Sequence, residues 1–420
     1  MDNQGSALLK NSNNLRVVNQ LMVIDALRKK PQSCADMARS LSLSNVALKH
    51  ITDELCAEGI IVSYAVKNSG GARGRRPNLY SLNDKLGVLC AIDLSGRDLK
   101  VAIASVDGSI IVRDAVRNIL LIDQKALSEV AALVQKLLLS PQVAGRKLLA
   151  ICISTPGEFD RETFDFIYAP RIIDYRNVNL KRYFEKIFHV EVNIYHDVTL
   201  GLVGEKEFGA IPKNVNHVYF VYLDYVGGSS LLLNGKVHEG ARGHAGEPAS
   251  YHPIDALSEE QYSGRFSTIY DVYGSIHKEA KNHPEDPFYA SDPFSFDEVV
   301  ARFNSGDPVV MKAVELSAKR NAIQLLSVAN LLDLEVICLY GKMLDFGPRF
   351  RDMIVRYYRS VDANQTGAEI LFGELGSDAN LYGAIYQAGN LFYLNCFARL
   401  AEKRTNSNYH DIKNFFGDNI

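Results

Sequence analysis

Three arginines in a glycine-rich segment are the side chains of this sequence best suited to hold a polyanion. Residues 70–77 read GGARGRRP. A guanidinium group can pair with a phosphate or enter the minor groove of DNA, and a flexible glycine loop has little structural use for three of them. We therefore predict that Arg73, Arg75 and Arg76 contact DNA.

The segments on both sides of this loop predict a winged helix-turn-helix. Apolar residues recur at helical spacing, serines stand where N-caps are expected, and β-branched and aromatic residues flank the loop. The pattern predicts three helices and then a two-stranded ribbon with the arginine loop at its tip: Leu15 to Leu27, Cys34 to Ser40 after Ser33, Asn45 to Ala57 after Ser42 or Ser44, and strands at 60–64 and 79–82.

The third of these helices is the one expected to read DNA. Leu48, Ile51 and Leu55 share one face of it, so that face is buried and the other faces can enter the major groove. We predict DNA contacts from its start and its polar face: Ser44, Asn45, Lys49 and His50. Two alternatives stay open, namely that Lys49 and His50 are solvated surface residues, or that the helices form a bundle that packs against another protein.

Charge and composition narrow the class of protein. Residues 1–80 carry 11 Lys and Arg against 6 Asp and Glu, whereas the whole chain has a net charge of −3. A basic head on an acidic body is expected when only the head meets a polyanion. The sequence has no apolar run of the roughly 18 residues that a membrane span needs, no signal-peptide pattern and six cysteines without a CxxC pair. We therefore predict a cytoplasmic protein with reduced thiols and no membrane partner.

The rest of the chain predicts a two-lobed α/β body. Apolar strands and amphipathic helices follow in the order βββαβ, and the pattern then repeats, which favours two lobes with a ligand cleft between them. The expected domains are a winged helix-turn-helix at 1–82, a first lobe at 86–200 and a second lobe at 201–400 with the ligand pocket and a dimerisation surface. Residues 401–420 form a tail that is either a docked helix or a frayed end.

From about residue 11 to 395 the chain resembles the ROK family (repressors, open reading frames and sugar kinases) in its regulator branch. The resemblance rests on motifs that keep the family's order: the wing at 74–77, the first phosphate loop at 91–96, the loops at 154–157 and 169–170, His196-Asp197, Gly204-Glu205, the signature at 234–247 and the C-terminal segment at 375–384. It implies an actin-like, hexokinase-type fold of the ribonuclease H kind after the winged helix-turn-helix.

The comparison with the family's kinases also implies degenerate ATP motifs. Where those kinases have Asp-Ile-Gly-Gly-Thr-Lys, residues 93–98 read DLSGRD, so a glycine and the threonine are lost and an anion stands where phosphates would lie. The second phosphate loop at 226–230 reads VGGSS, and the Gly-Gly pair of the nucleotide strand is Tyr340-Gly341. Because phosphoryl transfer depends on positioning and charge neutralisation, we expect neither enzyme activity nor bound ATP.

The resemblance carries the family's sugar contacts to four positions: His196, Asp197, Glu247 and Ser250. Asp197 stands where the kinases have their catalytic base, and we expect it only to accept a hydrogen bond from a ligand hydroxyl; alternatively it is a structural residue at a strand end. The family's zinc-binding cysteines are missing, so we expect no metal. A site made by His244, His252 and Asp255 is the weaker alternative.

These observations predict a DNA-binding repressor of carbohydrate genes that senses a sugar or sugar derivative. It would bind a palindromic operator as a homodimer or a dimer of dimers, because two heads must meet two half-sites, and the ligand would change operator affinity. The alternatives are a ROK-type sugar kinase with a fused DNA-binding head, and a regulator that binds no ligand and uses its body as a scaffold or is controlled by a protein partner.

Overall fold

The computed structural model describes residues 12–65, 78–241, 243, 245–246, 266–280, 282, 285–290, 294–362 and 367–405. The chain divides into two compact units, the first made of Met1–Asp197 with Leu381–Ile420 and the second of Val198–Asn380. Within the described ranges, no helix combines the length and the apolar character that crossing a membrane requires.

The N-terminal head is a winged helix-turn-helix, as the sequence predicted. Its elements are α1 (Ser12–Lys29), β1 (Gln32–Ser33), α2 (Cys34–Leu41), α3 (Asn45–Ala57), β2 (Ile61–Ala65) and β3 (Asn78–Leu82). The strands lie in the order β1-β3-β2 and both pairs are antiparallel. Strand β1 was not predicted, since two residues are too few to show an alternating pattern.

Serine caps define where the helices of the head begin. The side chain of Ser33 accepts a hydrogen bond from the Asp36 amide at the start of α2. The Ser44 hydroxyl accepts one from the Ala47 amide, 3.1 Å away, at the start of α3. Ser42 instead ends α2 in the left-handed conformation with φ 54°, so Ser44 is the cap of α3 among the two serines that the sequence allowed.

The rest of the first unit is built on a five-stranded sheet in the order β10-β7-β4-β5-β6. Its elements are β4 (Val88–Asp93), β5 (Leu99–Ala104), β6 (Ile110–Val116), α4 (Gln124–Leu138), β7 (Leu148–Thr155), the hairpin β8 (Glu158–Phe159) and β9 (Phe166–Tyr168), α5 (Leu180–Phe188) and β10 (Glu191–His196). Strands β4, β7 and β10 are parallel. Every residue of β4 is buried, as expected for a strand covered on both faces.

The second unit holds another five-stranded sheet, in the order β13-β12-β11-β14-β15. The elements that follow β10 are α6 (Asp197–Phe208), β11 (Val218–Leu223), β12 (Gly227–Leu233), β13 (Lys236–His238), α7 (Ile269–Ala280), α8 (Phe296–Ser305), α9 (Pro308–Leu332), β14 (Val336–Tyr340), α10 (Pro348–Val361) and β15 (Glu369–Phe372). Strand β11 pairs with β14 in parallel and with β12 antiparallel. The two sheets and their helices have the α/β architecture that the sequence predicted.

The last helix, α11 (Ala379–Thr405), differs from the expected domain division. We expected 201–400 to form one lobe, but from Leu381 onward the chain belongs to the first unit. Tyr393 and Phe397 of α11 are fully buried and share one apolar core with the head. The physical reason is that α11 carries apolar side chains that cover α1 and the base of the winged ribbon. Residues 406–420 lie outside the described part of the chain.

Candidate DNA-binding surface and ligand-binding edge

Helix α3 has a sealed apolar face and an open polar face. Leu48, Ile51 and Leu55 are at most 3% exposed, whereas the residues predicted to contact DNA are exposed: Ser44, Asn45, Lys49 and His50. Val46 lies on the open side as well, with 68% of its surface exposed. This apolar side chain was not among the predicted contacts, although a thymine methyl group is a suitable partner for it.

An ion pair also lies on the open face of α3. Lys49 donates a hydrogen bond to Asp53 one turn later, and this bond raises the pKa of Lys49 above its ordinary value. Exposed pairs of this kind contribute little energy, and the DNA contact of Lys49 remains a prediction.

Helix α1 holds α3 in place through Glu54. Arg16 donates to the same oxygen, Oε2 of Glu54, from Nη2 at 2.7 Å and from Nε at 3.2 Å. Gln20 donates to that oxygen from 3.1 Å. The carboxylate is 11% exposed, so these contacts neutralise a nearly buried charge on the inner side of α3. Sequence periodicity could not show this tie, because it joins residues 34 and 38 positions apart.

The predicted wing arginines, Arg73, Arg75 and Arg76, lie outside the described residues. The strands before and after them are described, and Ala65 at the end of β2 pairs with Asn78 at the start of β3. The segment 66–77 therefore joins the two ends of an antiparallel ribbon, which is where a wing tip belongs. The DNA contacts of the arginines remain a prediction.

The carboxyl ends of β4, β7 and β10 bring several motif residues to one edge of the first sheet. Asp93 pairs in register with Ser154, and His196 pairs with Thr155. The carboxyl end of parallel strands is where ligands bind in α/β folds. Asp197 follows directly as the first residue of α6, and its Oδ1 lies 3.3 Å from Nδ1 of His196.

The same edge contains a buried hydroxyl and a backbone approach that only glycine allows. The Ser154 side chain is fully buried, and its Oγ has no hydrogen-bond partner among the described residues. Gly157 has φ 109°, and a Cβ there would lie 2.6 Å from the carbonyl oxygen of Tyr168. The loop after β7 therefore lies against the segment that leads to Ala169, so two of the motifs that the family resemblance linked are in contact.

The first phosphate-loop segment is tied down by an arginine. All five N–H groups of Arg171 face backbone carbonyl oxygens, with Nε, Nη1 and Nη2 donating to Leu94, Ser95, Gly96, Ile119 and Leu120. The Ser95 amide and hydroxyl donate to Asp93. Asp98 accepts a hydrogen bond from the Asn118 amide at 3.1 Å. The carbonyl oxygens of residues 94–96, the amide and hydroxyl of Ser95 and the carboxylate of Asp98 are therefore engaged within the chain.

The turn that precedes the second phosphate-loop segment at 226–230 is held to the segment after β14 by an aspartate. Asp224 accepts hydrogen bonds from the Tyr222 hydroxyl at 2.9 Å, the Tyr225 amide at 2.7 Å and the Lys342 amide at 3.0 Å. Gly341 has φ 115°, and a Cβ there would lie 2.4 Å from the carbonyl oxygen of Leu223. The close approach of the segment after β14 to the end of β11 thus requires a glycine at 341, and Asp224 joins the two segments through hydrogen bonds.

Glu205, which the motif comparison placed in a Gly-Glu pair, has a structural environment. It is fully buried and accepts hydrogen bonds from the amides of Ala210, Glu374 and Leu375 at 2.9–3.1 Å. A Cβ at Gly209 or Gly373 would lie 2.0 or 2.7 Å from its oxygens, so both glycines are needed beside it. The carboxylate joins the end of α6 to the segment after β15.

Two of the four predicted ligand contacts are described, and they lie together: His196 and Asp197. Their side chains are 30% and 14% exposed. Glu247 and Ser250 lie outside the described residues, as do the alternative metal ligands His244, His252 and Asp255. The ligand-binding role of these residues therefore remains a prediction.

Comparison with known proteins identifies the family. Residues 89–390 match the ROK family, and the chain belongs to it. It is 24% identical to the xylose repressor of Caldicellulosiruptor bescii over 384 residues, which are 88% of this chain and 95% of that protein. It is 22% identical over 243 residues to the DNA-binding transcriptional repressor Mlc of Escherichia coli, covering 57% of this chain and 58% of Mlc.

Solved structures support the fold of head and body together. A ROK family transcriptional regulator described as a homolog of E. coli MLC has a TM-score of 0.75 at 17% identity, covering 93% of this chain and 100% of that one. A ROK family glucokinase from Streptomyces griseus, in complex with glucose and AMPPNP, has a TM-score of 0.61 at 20% identity and covers 72% of this chain and 100% of its own. Regulators and kinases therefore share this fold, and the fold alone does not separate the two activities.

Proposed function

We propose that the protein is a cytoplasmic, sugar-responsive transcriptional repressor whose winged head binds operator DNA and whose body binds a sugar but does not phosphorylate it. The observation that carries the proposal is helix α3, which is capped by Ser44, sealed on its apolar face and open on its polar face. It is joined to a ROK body, and relatives of this chain carry the names xylose repressor and DNA-binding transcriptional repressor Mlc.

DNA binding is tested by fluorescence anisotropy on an operator duplex selected in vitro with the full-length protein. Replacing Asn45 or His50 by alanine removes a polar group that can reach a base edge, and we expect affinity to fall about tenfold or more. The double variant Arg75→Ala/Arg76→Ala should weaken binding to all sequences and lower the salt dependence by about two phosphate contacts.

The matched control for these variants is Lys125→Ala, an exposed basic residue on α4 that lies outside the winged head. Operator affinity within twofold of the wild type is expected for this control. If the Asn45 and His50 variants also retained wild-type affinity, α3 would not be the reading helix.

Sugar binding is proposed at the edge formed by Asp93, Ser154 and Asp197, because a carboxylate next to a buried hydroxyl suits the hydrogen bonds of a polyol. The first probe is D-xylose, followed by hexoses and sugar acids, in a thermal-shift titration. A ligand at 100 times its Kd stabilises the native state by about 2.7 kcal/mol, and Asp197→Asn should abolish that shift.

Asp174→Asn is the matched control, since Asp174 is exposed and sits at φ 54°, where asparagine is well tolerated. It should leave the shift unchanged. If no sugar, sugar phosphate or sugar acid raised the melting temperature, the sensor part of the proposal would be wrong, and the body would serve as a scaffold.

The absence of kinase activity is proposed from the contacts of Arg171 at the first phosphate loop and of Asp224 beside the second. Backbone N–H groups and a cation are what hold ATP phosphates, but here Arg171 is engaged by carbonyls and the Lys342 amide by Asp224. Purified protein with ATP, Mg²⁺ and a hexose panel should release no ADP above the background without sugar. Turnover with any hexose would instead support the alternative, a sugar kinase with a DNA-binding head.

We also propose a homodimer as the DNA-binding form, because a palindromic operator presents two half-sites to two heads. Light scattering should give twice the chain mass of 46.7 kDa, and a mass of one chain in the operator complex would contradict it.

A further inference from the structure

Arg28, the second-last residue of α1, has an environment unlike that of Arg16 and Arg39, the other arginines of the head that the structure describes. Its side chain is only 8% exposed. Nη1 donates to Asp25 at 2.8 Å and to Oδ1 of Asn390 at 2.7 Å. Asn390 belongs to α11, so this buried charge joins the first helix of the DNA-binding head to the last helix of the chain.

Two tyrosines of α11 enclose the guanidinium group. Its central carbon lies 4.5 Å from the ring centre of Tyr386 and 5.5 Å from that of Tyr393, distances at which a cation is attracted to an aromatic face. The Tyr386 hydroxyl also donates to Asp25 at 3.3 Å. Together with Asp25 and Asn390, these rings form what is called here the Arg28 cage.

The backbone of α11 is shaped to admit this arginine. Gly389 lies next to the cage, and a Cβ at that position would lie 2.7 Å from Nη2 of Arg28. Glycine in a helix interior costs about 1 kcal/mol relative to alanine, so its presence in α11 is explained by the space that Arg28 needs. Asn390 is itself oriented by a hydrogen bond from its Nδ2 to Gln387 at 3.1 Å, which leaves Oδ1 for Arg28.

The Arg28 cage supplies directional polar contacts between the head and α11, whose other contacts are apolar. The head and α11 share a hydrophobic core that includes Leu27, Tyr393 and Phe397, and hydrophobic contact is non-directional. The guanidinium is bonded through Nη1 to two acceptors and faced by two rings, which restricts its orientation, whereas Nη2 has no hydrogen-bond partner among the described residues. On the other side, α1 holds the reading helix α3 through Arg16 and Glu54. A chain of directional contacts thus runs from α11 through α1 to α3.

We propose that the Arg28 cage is the joint that sets the angle of the winged head on α11, and that Arg28 is therefore a positioning residue for binding two half-sites at once. The inference rests on the proposed function, since it assumes that two heads meet one operator. A head held at a fixed angle can place α3 one helical turn of DNA away from its partner, whereas a loosely held head must give up conformational entropy on binding.

The test compares a palindromic operator with a single half-site, both in duplex DNA selected with the wild-type protein, and uses the full-length chain without sugar. In Arg28→Met and in Gly389→Ala we expect the Kd for the palindrome to rise about tenfold, while the Kd for the half-site changes less than twofold. Gly389→Ala is the sharper variant, because alanine favours the helix and its Cβ would come closest to Nη2 of Arg28 at 2.7 Å, with Cδ1 of Leu89 next at 3.3 Å. Arg182→Met, at an exposed arginine of α5, is the matched control.

Each outcome decides the matter. If both variants keep the wild-type preference for the palindrome, the cage does not set the angle of the head. If the palindrome and half-site affinities fall by the same factor, the cage serves only the folding of the head, and the inference is overturned. A further outcome is that the wild-type protein itself binds the palindrome no more tightly than the half-site. In that case the proposal that two heads bind one operator is wrong, and the proposed role of the Arg28 cage is overturned with it. The absence of sugar keeps the result independent of the sensor.

Discussion

Two segments, at the predicted first phosphate loop and beside the predicted second one, are held within the chain by side chains of opposite charge. In the first unit, the cation Arg171 gathers five backbone carbonyl oxygens from 94–96 and 119–120. In the second unit, the anion Asp224 gathers two backbone amides and a tyrosine hydroxyl. Carbonyl acceptors are thus satisfied by a cation in the first case, and the amide donors of Tyr225 and Lys342 are satisfied by an anion in the second.

Under the proposal that the chain is not a kinase, the two segments illustrate separate ways in which a phosphate site is lost. A phosphate needs backbone N–H groups and a cation directed at one point. Beside the first loop there is a cation, but the N–H groups of that cation, Arg171, are engaged by the loop's own carbonyl oxygens. Beside the second loop, the carboxylate of Asp224 accepts hydrogen bonds from the backbone amides of Tyr225 and Lys342. The energy of both sets of contacts can be measured by substitution.

The largest effect is expected at Glu205, which ties backbone amides in the second unit as Asp224 does but from a fully buried position. Glu205→Ala leaves three amides without their acceptor, and an unsatisfied buried group costs about 1–3 kcal/mol. We expect the free energy of unfolding to fall by about 3 kcal/mol or more in urea denaturation. Glu207→Ala, which removes a surface pair with Lys213, should cost less than about 1 kcal/mol. Equal effects would mean that the amides find other acceptors.

The next effect is expected at Arg171. Arg171→Met keeps much of the side-chain volume but removes five donors, and we expect a loss of about 2 kcal/mol, because a partly exposed site lets water replace some of the bonds. Hydrogen exchange should speed up at the Ile119 amide, which bonds to the carbonyl of Arg97 in the tied loop. The control is Arg182→Met, at an exposed arginine. If the Ile119 amide exchanged at the same rate in both variants, the loop would keep its conformation without Arg171.

A smaller effect is expected at Asp224, where Asp224→Ala should cost about 1–2 kcal/mol, since Tyr225 and Lys342 lie near enough to the surface to bond to water. This variant also sharpens the comparison of the two loops. It frees the N–H groups without supplying a cation, so ATP should still give no thermal shift. A nucleotide-dependent shift would instead show that the Asp224 carboxylate alone had excluded phosphates.

The sequence predicted the winged head well because its signals are local. A serine cap and the spacing of Leu48, Ile51 and Leu55 act within a few turns, and they define α3 within the same bounds that the structure has. The motif order also predicted the α/β body and placed His196 and Asp197 at a strand end, where they are found.

The ties could not be predicted, because each joins distant parts of the chain. Arg171 lies 75 residues from Gly96, Asp224 lies 118 from Lys342, and Glu205 lies 170 from Leu375. The packing of α11 against the first unit could not be predicted for a similar reason, because a helical pattern does not show which element the helix packs against. The sequence does show that α11 has apolar residues, including Tyr393 and Phe397, on several sides. A helix of this kind packs against more than one neighbour, so this pattern could have indicated that α11 is buried.

The smallest effect is expected at Glu335, an exposed member of the same group of carboxylates on amides. It accepts hydrogen bonds from the amides of Asn216 and His217 at 2.7 and 2.8 Å, and these bonds lower its pKa below the ordinary value of 4.5. A lowered folded-state pKa stabilises the protein above the unfolded value, and that contribution is lost as pH falls through the folded value. Glu335→Gln should therefore lower stability at pH 7 but have no effect in strong acid.

The size of this difference should stay below about 0.5 kcal/mol, because the side chain is 46% exposed and solvent screens it. Melting temperatures of the wild type and Glu335→Gln should differ at about pH 6–7 and converge below about pH 4. Glu369→Gln, on the neighbouring strand β15, is the matched control and should run parallel to the wild type across that range. A constant difference at all pH values would mean that Glu335 contributes by packing and not by its charge. Carboxylates would then act as ties in the second unit only where they are buried, as Glu205 is.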